Sequence, residues 1–258
     1  MRRREKTRER LQENTEEWDY IVEKLKLYWS PEQIAARWRL DYPEQKTFCF
    51  STIYRAIKKE KLPGIREKTH LRRRGKGYTP RNSCYNSIQP DRLVTDWPEE
   101  IRKRTRIGDW EGDTIYGGVG KGGLVTLLDR KTRVVRAELL MKRESGLTKD
   151  TVVAALRGYP VHSITFDNGS EFAQFHEMES ELNTVVYFAE PHKPWQRGSN
   201  ENANDILRFF FPKGFDFRQV TQEDVDFVVD LINSRPRKIL GWNSPIALFR
   251  DEFPVALT

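Results

Sequence analysis

At Ile107 the hydrophobic pattern of the chain changes period, and that change limits the folds open to it. Downstream, IGDWEGDTIYGG, GGLVTLLDR and TRVVRAELL read as three strands separated by Gly-rich or Lys/Arg-rich turns, with Asp129–Thr132 as a hairpin-like reversal. Residues 147–158 then read as a helix, HSITFDN as a short buried strand and 170–181 as a helix. TVVYFAE reads as a fifth strand, and 199–211 and 221–234 as helices. No internal repeat interrupts this βββαβαβα order.

That order is the order of a ribonuclease H-like domain, in which the first and fourth strands are neighbours. The expected fold class is therefore α+β: a mixed five-stranded sheet with flanking helices, preceded by a small helical segment. In that segment EEWDYIVEKLKLYW (16–29) has one greasy helical face. Ser30-Pro31-Glu32-Gln33 is a strong helix start, and Tyr42-Pro43 ends the helix it begins. A third helix ending near Glu60 carries Ile53, Tyr54 and Ile57 on one face and Arg55, Lys58 and Lys59 on others. Three short helices with a broken connection suit a helix-turn-helix unit or a plain structural bundle. The expected partition is 1–60 helical, 61–106 basic linker and 107–258 sheet domain.

Charge follows the same partition. Residues 1–106 hold 27 Lys+Arg against 16 Asp+Glu, and residues 107–258 hold 18 against 22. KLPGIREKTHLRRRGKGYTPR (61–81) alone has eight cations and one acid. The basic half is suited to a polyanion, while clustered acids can hold the metals that act on it. No apolar run of about 18 residues is present, which excludes a transmembrane helix. The basic N-terminus has no apolar stretch behind it, so a secretory signal is not expected. Cys49 and Cys84 are isolated and form no CxxC pair, so two reduced thiols are expected rather than a zinc cluster.

Asp109, Glu111 and Asp113 alternate along the first strand, which puts all three on one face. Three acids there would repel if buried unpaired, so that face is expected to meet water, cations or a metal. Asp167 ends the fourth strand at Asp167-Asn168-Gly169, and Glu201 stands near the first turn of the helix after the fifth. Singly, each has an ordinary reading: a surface strand acid, a turn former, an acid on a helix dipole. Together, they are what magnesium-dependent phosphodiester chemistry needs: hard oxygen ligands from separate elements, holding two ions roughly 3.5–4 Å apart. Just before Glu201, PHKPWQRG (191–198) offers groups for phosphates and an indole to stack on an unpaired base.

On these residues the chain resembles the insertion-sequence-30 family of DDE transposases. The matching stretches are WEGDTI (110–115), TFDNGSEF (165–172), PHKPWQRG (191–198), NENANDILRFFFPKG (200–214) and NSRPRKILGWNSP (233–245), with WSPEQIAARW (29–38) and TIYRAI (52–57) upstream. The resemblance implies an acidic triad of Asp113, Asp167 and Glu201, with 33 residues between the last two. It implies Mg²⁺ or Mn²⁺, two ions, and a reaction that cleaves and joins DNA strands at the ends of an insertion sequence. A non-catalytic regulator derived from a transposase, or a nuclease without joining activity, are the alternatives. The implied partners are double-stranded DNA and a second copy of the chain, in a bacterial or archaeal cytoplasm at the nucleoid. Expected DNA contacts are Arg55, Lys58, Lys59, Arg72, Arg73, Arg74, Lys76, His192, Lys193, Trp195, Arg197 and Lys213. Three departures stand out. The stretch before WSPEQIA is too short for the extra helix-turn-helix unit usual there. Cys49-Phe50-Ser51 replaces a more polar lead-in to TIYR. Asp205 stands where the family usually has Gly, one turn from Glu201, as a rival third ligand.

Overall fold

Ser30 Oγ accepts the Gln33 N–H at 3.3 Å while Gln33 Oε1 accepts the Ser30 N–H at 2.8 Å, so the expected capping box forms and Pro31 opens a helix. This detail comes from a computed structural model, which describes residues 11, 15–72, 88–190, 193, 196 and 198–254. The chain divides into two compact units, residues 1–81 with 235–243 and residues 82–234 with 244–258. Among the described residues no helix is long and apolar enough to cross a membrane.

The first unit contains α1 (Glu16–Lys26), α2 (Pro31–Asp41), α3 (Phe50–Lys58) and the short α4 (Glu67–His70). Helix α1 stops short of Trp29 because Tyr28 turns left-handed at φ 60°. The core centres on Trp38, ringed by Tyr20, Tyr42 and Phe48 at 5.0, 4.3 and 5.6 Å between ring centres. Its indole N–H donates to Lys46 O at 3.2 Å, so the buried polar atom is satisfied. Helix α3 buries Ile53, Ala56 and Ile57 and leaves Phe50, Tyr54, Arg55 and Lys58 exposed. Residues 235–243 join this unit through Gln33 Nε2, which donates to Pro236 O at 2.7 Å.

The second unit contains α5 (Glu99–Lys103), β1 (Asp109–Tyr116), β2 (Gly123–Asp129), β3 (Val135–Leu140), α6 (Ser145–Leu156) and β4 (Ser163–Phe166), followed by α7 (Phe175–Leu182), β5 (Val185–Phe188), α8 (Gly198–Phe210), α9 (Gln222–Asn233) and α10 (Pro245–Glu252). The sheet order is β3-β2-β1-β4-β5, antiparallel across β1–β2–β3 and parallel across β1–β4–β5. This is the ribonuclease H-like arrangement expected from the element order. Strand β2 is buried at every position because both faces of the sheet are covered. On one face Trp110, Val125, Leu127, Ile164 and Phe166 pack with α6 and α7; on the other Ile115, Leu124, Leu128 and Val135 pack with α8 and α9. The helix expected over 170–181 splits into a 3₁₀ turn at Ser170–Phe172 and α7, with both Glu171 and Phe172 buried. Helix α10 begins at Ser244-Pro245, where Ser244 Oγ accepts the Ala247 N–H at 3.3 Å, a serine cap and N1 proline as in α2 but without the reciprocal glutamine bond.

Gly112 lies between two of the first strand's acids for a steric reason. A Cβ there would stand 2.2 Å from Phe166 Cε1, and that ring is itself stacked on Phe172 at 4.0 Å. Gly112→Ala is expected to cost about 1–3 kcal/mol by over-packing, read as a lower melting temperature. An unchanged melting temperature would show that the Phe166 stack yields freely.

Candidate active site

The three acids of β1 leave one face of the strand and meet different surroundings. Asp109 is buried; it accepts Arg106 Nε at 3.0 Å and Ser163 Oγ at 2.7 Å. Glu111 is also buried, ion-paired with the guanidinium of Arg130, and it accepts the Asn200 N–H at 3.2 Å at the start of α8. Arg130 lies over the Trp97 ring at 4.0 Å and donates to Ile101 O at 3.4 Å. Burial pushes the Arg130 pKa down, and the Glu111 charge opposes that shift. The expectation that this face meets water, cations or a metal is met at Asp109 and Glu111 by cations, the guanidinium groups of Arg106 and Arg130. An unpaired buried carboxylate is costly, and here arginines from outside the strand remove that cost by occupying the face.

Asp113 sits in different surroundings. It is half-buried, with Oδ1 accepting the Thr114 N–H and Oδ2 accepting Asn204 Nδ2, each at 2.8 Å. Asn204 Oδ1 in turn accepts Thr126 Oγ1 at 2.9 Å, which fixes the amide's orientation. Asp167 follows β4 directly and is also half-buried. The parallel pairing of Glu111 with Thr165, continued two residues, sets Asp113 level with Asp167. Asp167 Oδ1 accepts the Gly169 N–H at 3.0 Å. Glu201 is exposed in the first turn of α8, three residues before Asn204 and so on its side of the helix. Asp205 is half-buried on the same helix.

Among the described residues no group of three or more His, Cys, Asp or Glu lies close enough to hold a metal ion. Asp113 and Asp167 nonetheless fit a divalent cation in kind and placement: two hard oxygen donors on adjacent strands. Glu201 has to close on them for a three-acid site. Of the expected DNA contacts, Arg55, Lys58, Lys59, Arg72 and Lys213 are exposed. Lys193 is half-buried and ion-paired with Glu190 at 2.7 Å. Arg73, Arg74, Lys76, His192, Trp195 and Arg197 lie outside the described residues, as does Cys84; Cys49 is a free, exposed thiol.

No family model matches the chain. It is 37% identical over 236 residues to the transposase for insertion sequence element IS4351 of Bacteroides fragilis, covering 90% of this chain and 72% of that protein. It is 32% identical over 250 residues to the transposase for IS1086 of Cupriavidus metallidurans, covering 89% and 70%. It is 33% identical over 251 residues to the transposase InsI for IS30A of Escherichia coli, covering 92% and 65%. The chain belongs to the insertion-sequence-30 family of transposases. Among solved structures it is similar to the catalytic core domain of BIV integrase, with a TM-score of 0.45, 16% identity and coverage of 55% of this chain and 93% of that one. A chain of the simian T-cell lymphotropic virus intasome complex gives a TM-score of 0.47 at 18% identity, covering 65% and 60%.

In this member of the insertion-sequence-30 family, WEGDTI falls on β1, TFDNGSEF on the end of β4 and its turn, and NENANDIL on the first turns of α8. Two side chains inside those stretches carry contacts that residue type alone did not single out. Asn204 holds Asp113, and Glu171, buried beside Asp167, accepts Thr114 Oγ1 at 2.9 Å. The sign of each in the sequence was only its place within a matching stretch.

Proposed function

We propose that this transposase cleaves and joins DNA at the ends of an insertion sequence with a site made of Asp113, Asp167 and Glu201, and that Mg²⁺ or Mn²⁺, as two ions, completes it. When bound, such ions polarise the phosphate and lower the pKa of a coordinated water. Asp113 and Asp167, level on neighbouring strands, would hold the ions together with Glu201 of α8. Water's oxygen attacks phosphorus and the P–O3′ bond breaks, leaving a 3′-OH and a 5′-phosphate. That 3′-OH then attacks a second phosphodiester in line, loses its proton, and displaces another 3′ oxygen, which takes one up. Each joining step trades one phosphodiester for another, so no covalent protein–DNA intermediate is needed. The first unit supplies end recognition, with Arg55, Lys58 and Lys59 of α3 at the DNA and the basic segment with Arg72, Arg73, Arg74 and Lys76 tracking phosphates. His192, Lys193, Trp195, Arg197 and Lys213 position the strand near the acids. Joining two ends calls for at least two copies of the chain, acting at the nucleoid of a bacterial or archaeal cell.

The observation that supports this reading best is the register of β1 on β4, which, carried two residues past the Glu111–Thr165 pair, sets Asp113 level with Asp167. The test is a strand-transfer assay with Mg²⁺ or Mn²⁺ on candidate end sequences, wild type against Asp167→Asn. Equal product from both overturns the site. Cleavage without joined product points to a nuclease, and binding without either to a regulator.

A second expectation concerns Asn204. Asn204→Ala is expected to slow cleavage about 10–100-fold, the usual effect of losing a group that orients a metal ligand. Asn204→Asp should be slower still, because it sets a like charge against Asp113. Cleavage rates over a Mn²⁺ series check this, and an unchanged rate and metal dependence in Asn204→Ala would remove Asn204 from the site.

A further inference from the structure

Arg143 lies in the connection between β3 and α6 and has no part in the triad. Its Nη2 donates to both oxygens of Glu171 at 2.8 Å, and its guanidinium stands 5.2 Å from the centre of the Tyr116 ring. The pair is lopsided: the Glu171 side chain is 3% exposed and the Arg143 side chain 57% exposed. Glu171 is therefore an interior anchor. It is held a second time by Thr114, the residue next to Asp113, whose Oγ1 donates to it at 2.9 Å. A Cβ on Gly169 would stand 2.5 Å from Glu171 Oε2 and 2.9 Å from Asp167 Oδ1, so the two carboxylates flank one glycine. Asp167 and Tyr116 both act on the Arg143 charge. The chain thus fixes an exposed cation at the rim of the acidic pair, on the side of Asp167, through a buried acid bonded to β1 and carried on the turn after β4.

A guanidinium has five N–H donors, and Glu171 engages only those of one nitrogen. The rest lie on a side chain more than half exposed, rigidly held beside the carboxylates. Planar, weakly hydrated and always charged, this is the group best suited to a phosphate. We propose that Arg143 binds a backbone phosphate of the DNA strand next to the scissile bond, and that Glu171 is the positioning residue that aims it. The proposal rests on the assignment of Asp113 and Asp167 above.

The test uses the full chain in single-turnover cleavage of a labelled DNA duplex in Mn²⁺, with duplex and salt concentrations varied. Arg143→Ala is expected to raise the half-saturating duplex concentration about tenfold and to flatten the log–log salt slope of binding by about 1, as expected for the loss of one phosphate contact. Arg143→Lys should keep the slope, because the charge remains, but should not restore full affinity, because the aimed fork is lost. Glu171→Gln should weaken binding while keeping the slope. Circular-dichroism melting accompanies each variant. If Arg143→Ala melts early, Arg143→Gln and Arg143→Lys carry the comparison: a lost slope in the first and a kept slope in the second support the proposal. Wild-type half-saturation and slope in a folded Arg143→Ala or Arg143→Gln overturn it. Asp167→Asn runs alongside. Its wild-type cleavage would overturn the site itself, whereas an inactive Asp167→Asn beside an unaltered Arg143→Ala would overturn only the role of Arg143.

Discussion

Asp167→Asn is expected to yield a folded, DNA-binding protein that neither cuts nor joins. The substitution keeps the size of the side chain and its Oδ1, so the acceptor for the Gly169 N–H survives. What it removes is one of the anionic oxygens proposed to hold the ion. Lewis-acid stabilisation by a bound ion is worth several kcal/mol, and each ~1.4 kcal/mol is a factor of ten in rate. Loss of the ion's grip should therefore cost on the order of 10³-fold or more in both cleavage and joining. Folding should change by less than about 1 kcal/mol, the usual range away from buried networks. Product formation, a melting curve and a gel-shift on the same preparation separate these effects. Product within tenfold of wild type would remove Asp167 from the site.

The largest effect on stability is expected at Arg130→Met. Arg130 and Glu111 are buried on both sides of their ion pair, and removing one member strands the other. Breaking a buried pair in this way costs about 3–5 kcal/mol. Methionine also gives up the stack on Trp97 and the bond to Ile101 O. In a domain of this size the loss corresponds to a fall of roughly 6–20 °C in melting temperature. Adding Glu111→Gln should return part of it, because the glutamine no longer buries a charge. The same pair bears on function: Glu111 accepts the Asn200 N–H, one residue before Glu201. The double variant should therefore recover stability more fully than cleavage. A single variant that melts within a degree or two of wild type would show that Glu111 finds other compensation.

Much of the fold could be read along the chain. The five strands are legible as apolar stretches bounded by turn residues, and the capping box at Ser30 and the helical stripe at 16–29 are local signals. Helix α10 starts at Ser244-Pro245 as α2 starts at Ser30-Pro31, so its signal is local as well. The excursion of residues 235–243 into the first unit had no local sign, because it depends on a contact between Gln33 and Pro236.

The acids divide in the same way. Sequence by itself determined that three carboxylates alternate on one strand, that Asp167 ends another, and that Glu201 opens a helix. Those facts depend on spacing and turn chemistry, which act over a few residues. It did not determine what each acid on β1 meets. Arg106, Arg130 and Asn204 decide that, and they reach the strand from a preceding loop, a hairpin turn and a helix some ninety residues on. Only the tertiary structure brings them there, because a buried charge is tolerated where the fold delivers its partner, whatever the distance along the chain.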